Sequence, residues 1–296
     1  MYTVHYSFIT ATIGEENKLK ALLKSLTSQT YFNYEIIVVD QNEHERVLHL
    51  CNNYENIKYI HSSNRGLSLA RNIGIRNARG EYLVFPDDDA ILPHDFLENA
   101  NITIQKFPGM FIFSGIVLTL EKNKPFSRYM DFVSAEITYS NYSKFLSTTM
   151  IIRHQVFDKL NGFDEEMGVG ARWGGSEETE LLLRALEAGF RAYYTESLIA
   201  FHPEINFSEL AWVQVIHKGY NYGLGRGALF RKLIDSSKWG WMLWQWVFSL
   251  IKSIGGIVMA CIQGHWKDAA RHFGAFWGRI VGFALAKTTR FKSTYS

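Results

Sequence analysis

The chain has 296 residues, 47 % of them hydrophobic, enough to bury one large core or one core with an appendage, and its formal net charge is only +2. That balance excludes the global basic surface of a nucleic-acid binder, and two distant cysteines, Cys51 and Cys261, exclude a cysteine metal cage and read as free thiols of a reducing compartment. There is no internal repeat, no low-complexity segment and, over residues 1–6, no positive region leading into an apolar stretch, so no cleavable signal is expected.

From the N-terminus, residues 4–10 read as a short strand. Residues 15–26 form an amphipathic helix with Leu19, Leu22, Leu23 and Leu26 on one face. Residues 35–39 read as a strand: after Glu35, a continuous apolar run ends at Asp40, the pattern of a central parallel strand. A helix is expected over 44–54, a strand over 57–60 and a helix over 66–78, with Gly80 in the position past its end that favours glycine. Residues 82–85 make a fourth strand. This alternation predicts an α/β fold with a doubly wound sheet. Farther on, the pattern predicts a helix over 93–105, strand-rich segments over 110–120 and 145–153, a short helix and a turn at 162–165. A glycine-rich loop over 168–175 contains Trp173, and a helix over 177–188 is capped by Gly189.

The character changes near residue 207. From residue 210 onward, twelve Lys and Arg face two acids, Asp235 and Asp268, a net of +10, whereas residues 1–209 carry −8. Residues 239–262 hold one charge, Lys252, and residues 273–286 hold only Arg279. A helix over 241–262 would be about 33 Å long, enough to cross a bilayer core. Trp239, Trp241, Trp244 and Trp246 crowd one end, as headgroup-level indoles do, and glycines at 255, 256 and 264 weaken a single span. A helix lying in one leaflet fits as well as a crossing, and a buried helical pair in a soluble protein is the plainer alternative. The expected division is a catalytic domain over 1–206, with halves of 1–110 and 111–206, and a helical tail over 207–296 that meets an anionic membrane surface.

The chemistry concentrates in the segment 79–89, Arg-Gly-Glu-Tyr-Leu-Val-Phe-Pro-Asp-Asp-Asp. A strand stops at Pro86 and delivers three adjacent carboxylates, which repel one another unless a cation neutralises them. A bare acidic run is usually a solvated loop, but this one leaves the core directly. Asp87, Asp88 and Asp89 are therefore expected to hold Mn2+ or Mg2+ bridging two phosphates. Ligands of an open parallel sheet bind beyond the carboxyl ends of its strands, where Thr10, Thr12 and Asp40 also fall. Asp40 can accept an N–H from a base or sugar, or cap a turn. Arg65 and Arg71 flank the start of the 66–78 helix, and either can meet a diphosphate bidentately or sit on the surface. Glu177 and Glu178 open a helix, where acids complement the dipole, and Glu180 can pair with Arg184. Adjacent helical side chains diverge by about 100°, so one of Glu177 and Glu178 can brace the loop while the other deprotonates a hydroxyl. His202, at the end of an apolar run, is either a structural histidine or a nitrogen ligand of the metal. The glycines around Trp173 would let that loop close over a sugar.

With Thr10-Ala-Thr12, Val38-Val-Asp40, Asn64-Arg-Gly66, Ala70-Arg-Asn72, the run over 80–89, Gly162-Phe-Asp-Glu165 and Gly175-Ser-Glu-Glu-Thr-Glu180, the chain resembles glycosyltransferase family 2 over roughly residues 4–205. These are inverting nucleotide-sugar transferases of the GT-A fold. The resemblance implies that Thr10 and Asp40 bind the nucleoside, usually uridine, and that Asp87, Asp88 and Asp89 bind the sugar diphosphate and metal. Glu178 inherits the role of general base from the second acid of the family's helix-opening pair. Two departures stand out. The base is Glu rather than Asp, which keeps Glu177 as the alternative, and Gln41 follows Asp40 where many members carry a second acid. Gln214-Val-Ile-His-Lys218 does not match the Gln-x-x-Arg-Trp motif of processive synthases, so single-sugar addition is expected.

The implied activity is transfer of one sugar from a nucleotide-sugar donor, a UDP-sugar, to a glycan or lipid-linked acceptor. Its setting, by family analogy, is surface polysaccharide assembly at the cytoplasmic face of the cell membrane. A nucleotidyltransferase would need a glycine-rich basic loop after the first strand, and Ala11-Thr-Ile-Gly14 is too sparse. A catalytically silent donor-binding or scaffold subunit would not need both the aspartates and the helix-opening acids.

Overall fold

A computed structural model describes residues 4–127, 129–204, 206–235 and 238–288; the tail cations Arg290 and Lys292 lie outside them. The chain forms two compact units. One comprises Met1–Asp164 and Leu181–Glu204, the other Glu165–Glu180 and Ile205–Ser296. Residues 165–180 thus group with the helices of the tail, which a linear cut at 206 does not anticipate.

The first unit is built on a mixed sheet. Strands β1 (Val4–Thr12), β2 (Tyr34–Asp40), β3 (Ile57–His61), β4 (Gly80–Val84), β5 (Ile112–Thr119), β6 (Ala135–Ile137), β7 (Ile151–Arg153) and β8 (Ala192–His202) lie in the order β3-β2-β1-β4-β7-β5-β8-β6. The first four are parallel. β7 is antiparallel to β4 and β5, and β8 runs parallel to β5. It follows that β1, β2, β4, β5 and β8 all end at the same edge. The connecting helices are α1 (Glu16–Thr27), α2 (Leu48–Cys51), α3 (Leu67–Asn77), α4 (Phe96–Lys106), α5 (His154–Leu160) and α6 (Glu177–Glu187). The apolar face of α1 is fully buried in one core with Phe8, Ile36, Val38 and Val84. Each buried leucine there contributes about 1.5–3 kcal/mol.

Three local expectations change. The helix expected over 44–54 shrinks to α2: Glu45 sits at a positive φ of 48°, outside the right-handed helical region, and the Asp40 side chain holds the irregular approach to the helix. Its Oδ1 accepts the Asn42 N–H at 2.9 Å and its Oδ2 the Val47 N–H at 3.5 Å. Gly80 is not a helix cap but the first residue of β4, where a Cβ would lie 2.6 Å from the Ser7 backbone nitrogen of β1. The strand expected over 145–153 is confined to β7 and is preceded by a tight turn at Ser147–Thr149. Gly189 does end α6, at φ 84°, with the Phe190 N–H donating to the Ala185 carbonyl.

The second unit contains α7 (Trp212–Lys232), α8 (Trp239–Ile262) and α9 (Trp266–Leu285). Glycines recur every fourth residue on α7, at 219, 223 and 227, and on α9, at 274, 278 and 282. A Cβ on the α7 set would overlap the carbonyls of Arg271, Ala275 and Arg279; one on the α9 set would overlap those of Ile216, Tyr220 and Leu224. The two helices therefore run parallel with their backbones in direct contact. Gly223→Ala should lower the melting temperature, costing about 1–3 kcal/mol through overpacking. Gly255→Ala, with nothing within 4 Å of the new methyl, should instead be neutral or stabilising by up to about 1 kcal/mol. Thermal melts of the two variants side by side check this, and equal shifts would contradict the close helix contact. α8 is long and apolar enough to cross a membrane. It exposes Trp244, Ile251, Ile254, Val258 and Met259, and α9 exposes Phe273 and Trp277.

Candidate active site

The direction of the strand order reverses between β1 and β4, and such a switch point opens a crevice at the carboxyl edge. β4 stops at Val84 and Pro86 offers no N–H to extend the ladder. The chain turns at Asp87, whose carbonyl accepts the Ala90 N–H at 3.0 Å. Ile91 then pairs with Phe201 of β8 through two backbone bonds of 2.9 and 2.8 Å. That pairing carries Asp89 to the end of β8.

Each aspartate has a different partner. Asp87 Oδ1 lies 3.2 Å from Nη2 of Arg71, which is only 2 % exposed. Its Oδ2 accepts the hydroxyls of Thr148 at 2.7 Å and Ser147 at 3.3 Å. The Arg71 guanidinium also lies 5.5 Å from the Phe163 ring centre. Asn72 clamps Phe163 in place, donating to its carbonyl at 2.9 Å and accepting its N–H at 2.8 Å. The Ala-Arg-Asn and Gly-Phe-Asp motifs are thus one support for Asp87.

Asp88 Oδ2 accepts the Thr12 hydroxyl at 2.5 Å. Burial raises its pKa, and the neighbouring Asp89 and Asp87 charges add to this while the Thr12 bond opposes it. Asp89 Oδ1 lies 3.0 Å from His202 Nε2. His202 Nδ1 donates to the Pro203 carbonyl at 2.8 Å, so Nε2 is the nitrogen that faces the site. Burial alone would raise the Asp89 pKa and lower that of His202. Their mutual hydrogen bond and opposite charges outweigh it, holding Asp89 below the usual carboxylate range and His202 above the usual imidazole value. The pair is thus doubly ionised between those two limits. Its stabilisation fades as pH falls through the depressed carboxylate value or rises through the raised imidazole one.

Among the described residues, no three His, Cys, Asp or Glu side chains converge into a metal cage. Asp87, expected as a ligand, is engaged by Arg71 and Thr148. Asp89 and His202 do fit a divalent ion once His202 Nε2 releases the proton it shares with Asp89. A backbone carbonyl fixes the tautomer of the histidine, as it does for ligating imidazoles, and such ions commonly complete their shell with substrate phosphates and water.

The other expected site residues are placed as follows. Thr10 is buried at the end of β1, and its hydroxyl has no hydrogen-bond partner among the described residues. Asp40 is 0 % exposed. Besides the Asn42 backbone it accepts the Asn42 side-chain N–H at 2.7 Å and the Tyr59 hydroxyl at 2.9 Å, so it offers a nucleoside no free oxygen unless one of these bonds gives way. Arg65 is exposed and pairs with Glu43 at 3.6 Å rather than with the aspartates. In the second unit, Trp173 is 3 % exposed and anchors its loop from within instead of facing solvent. Glu177 is buried in the first turn of α6 and Glu178 is half-buried, accepting the Thr179 hydroxyl at 3.1 Å. Thr148 and Tyr59 are supporting residues that the motifs did not announce.

A family model described as glycosyl transferase family 2 matches residues 7–158, just over half of the chain. A Methanococcus voltae protein, dolichyl N-acetyl-alpha-D-glucosaminyl phosphate 3-beta-D-2,3-diacetamido-2,3-dideoxy-beta-D-glucuronosyltransferase, is 24 % identical over 76 % of this chain and 74 % of its own. An uncharacterized glycosyltransferase of Rickettsia conorii is 30 % identical over 49 % of this chain, and the match spans only 24 % of that relative's length. The matches to GlyA of Streptococcus pneumoniae and to a Rickettsia felis glycosyltransferase span 12 % and 28 % of their lengths. Among solved structures, the mannosyltransferase PcManGT from Pyrobaculum calidifontis, in complex with GDP-Man and Mn2+, superimposes with a TM-score of 0.65 at 17 % identity over 94 % of this chain and 88 % of its own. S. aureus TarS in complex with UDP-GlcNAc gives 0.62 at 19 % over 79 % and 68 %. The mixed sheet and its helices are the GT-A fold. On the matched half and that shared architecture, this chain belongs to glycosyl transferase family 2.

Proposed function

We propose that the chain is a metal-dependent, inverting transferase that moves one sugar from a UDP-sugar to a glycan or lipid-linked acceptor. The observation that carries this reading is the strand-end cluster, in which Arg71, Thr12 and His202 each fix one of three consecutive aspartates. Mn2+ or Mg2+ held at Asp89 and His202 would supply positive charge to a departing diphosphate. Arg71, buried and braced by Phe163, keeps Asp87 in place, and Thr12 orients Asp88 at the mouth of β1. Glu178 takes the proton of an acceptor hydroxyl. The freed oxygen bonds to the anomeric carbon on the face opposite the diphosphate, the sugar–diphosphate bond breaks, and the nucleoside diphosphate leaves with the electron pair. The nucleotide-sugar complexes of PcManGT and TarS support a donor of this class. A panel of nucleotide-sugars with Mn2+ tests it through thermal stabilisation and release of free UDP without acceptor. No stabilisation and no release with any donor would remove the enzyme reading.

The setting we infer is an anionic cytoplasmic leaflet, supported by the apolar residues exposed on α8 and α9 and by the net positive charge of the tail. The double variant Trp244→Glu and Ile254→Glu should move the chain from washed membranes to the soluble fraction. Unchanged retention would remove the membrane argument.

A further inference from the structure

We propose that the second unit carries a metal-independent pocket for a phosphate group on the acceptor. This deepens the transferase reading and rests on it. The pocket has a volume of about 480 Å³ and lies between α7 and the loop over 169–174. Its side chains include Arg172 from the loop and Gln214, His217, Lys218, Asn221 and Tyr222 from α7. The α7 positions follow i, i+3, i+4, i+7 and i+8, a single helical face. It is distinct from the glycine face that meets α9.

The loop is pinned onto that face. Trp173 is buried beneath it, and its backbone pairs with Gly168 and Glu166 at 3.0 and 2.8 Å. A Cβ at Gly174 would come within 2.9 Å of Asn221 Cβ, and one at Gly225 would overlap the Gly175 backbone. The wall is therefore held closed against the helix rather than lying loosely over it.

The charge of the pocket is one-sided. Arg172, His217 and Lys218 line it and no carboxylate does. Arg172 reaches Glu166 only at 3.7 Å, through a side chain that is largely exposed. Lys218 and His217 have no ion pair or hydrogen bond among the described residues. Cations gathered in a concavity that no carboxylate lines favour an anion, and the neighbouring amide, hydroxyl and guanidinium donors suit phosphate oxygens. The volume exceeds that of one phosphate, which leaves room for the saccharide attached to it. With no acidic side chain in the lining, the pocket offers a divalent ion no carboxylate ligand, unlike the strand-end aspartates. The wall also continues directly from Gly174 into Glu178, so the phosphate pocket and the proposed base belong to one pinned segment of the same unit.

Isothermal titration of the full-length chain in EDTA, with inorganic pyrophosphate as the probe, tests the pocket without a contribution from the metal-dependent site. Saturable binding is expected, weakened about tenfold or more by Lys218→Glu and by Arg172→Glu, each removing a cation and adding an anion. Lys252→Glu on α8 should leave it unchanged. No metal-free binding by the unaltered chain, or equal binding by both pocket variants, overturns the proposal. Two further probes separate the sources of the phosphate: glucose 1-phosphate in solution, and neutral phosphatidylcholine vesicles doped with polyprenyl phosphate. Binding of either that depends on Lys218 supports the proposal and identifies the source; binding of neither overturns the acceptor assignment. Metal-dependent UDP release is measured separately. Its absence would overturn the transferase reading, and the acceptor role with it, whereas UDP release without phosphate binding would overturn the pocket alone.

Discussion

Asp89→Ala is expected to abolish stabilisation of the chain by nucleotide-sugar with Mn2+ and to lower turnover by about 10³-fold, the scale for losing a group that stabilises transition-state charge. Asp89 is the one member of the acidic run whose oxygen faces His202 Nε2, at 3.0 Å. Removing it leaves the imidazole without its counter-charge and takes away a hard oxygen donor at the end of β8. Asp89→Asn separates charge from packing, because it keeps the shape and should lose metal-dependent binding while melting close to the unaltered chain. Donor titrations with and without Mn2+, beside a thermal melt, measure both. Metal-dependent donor binding that survives in both variants would refute the assignment of the ion to Asp89 and His202.

Glu178→Ala should do the reverse, keeping donor affinity within about twofold while turnover falls by about 10²–10⁴-fold, the usual contribution of a positioned base. Glu178 is half-buried and accepts the neighbouring Thr179 hydroxyl, while Glu177 is buried at the start of the helix. Accessibility to an incoming hydroxyl therefore favours Glu178. The measurement is turnover with acceptor, set against the donor dissociation constant for Glu178→Ala and Glu177→Ala. Normal turnover in the first and loss in the second would reassign the base to Glu177.

The parts legible in the sequence were those written in local patterns. The apolar stripe of α1, the runs of β2 and β4, and the proline that ends β4 above three aspartates each follow from periodicity or from one residue's chemistry. What escaped depends on contacts distant in sequence. Thr12 meets Asp88 across 76 positions and Thr148 meets Asp87 across 61, pairings that no local pattern specifies. The helix expected over 44–54 failed because the chain leaving β2 is held in an irregular turn, with Glu45 at a positive φ of 48° and Asp40 accepting the Asn42 and Val47 N–H groups, a tertiary effect overriding propensity. Gly80 looked like a helix terminator when its role is to let two strands approach. α7 was illegible for the related reason that glycines every fourth residue weaken an isolated helix and stabilise this one only through α9.

The cohesion between α7 and α9 has a further consequence. Main-chain atoms touching main-chain atoms attract by dispersion, which does not vanish when water is replaced by hydrocarbon, whereas an oily seam between helices loses its advantage in oil. A tail joined in this way can pass from aqueous surroundings into a lipid surface without coming apart, leaving the indoles and aliphatic groups on its outer side to interact with the lipid.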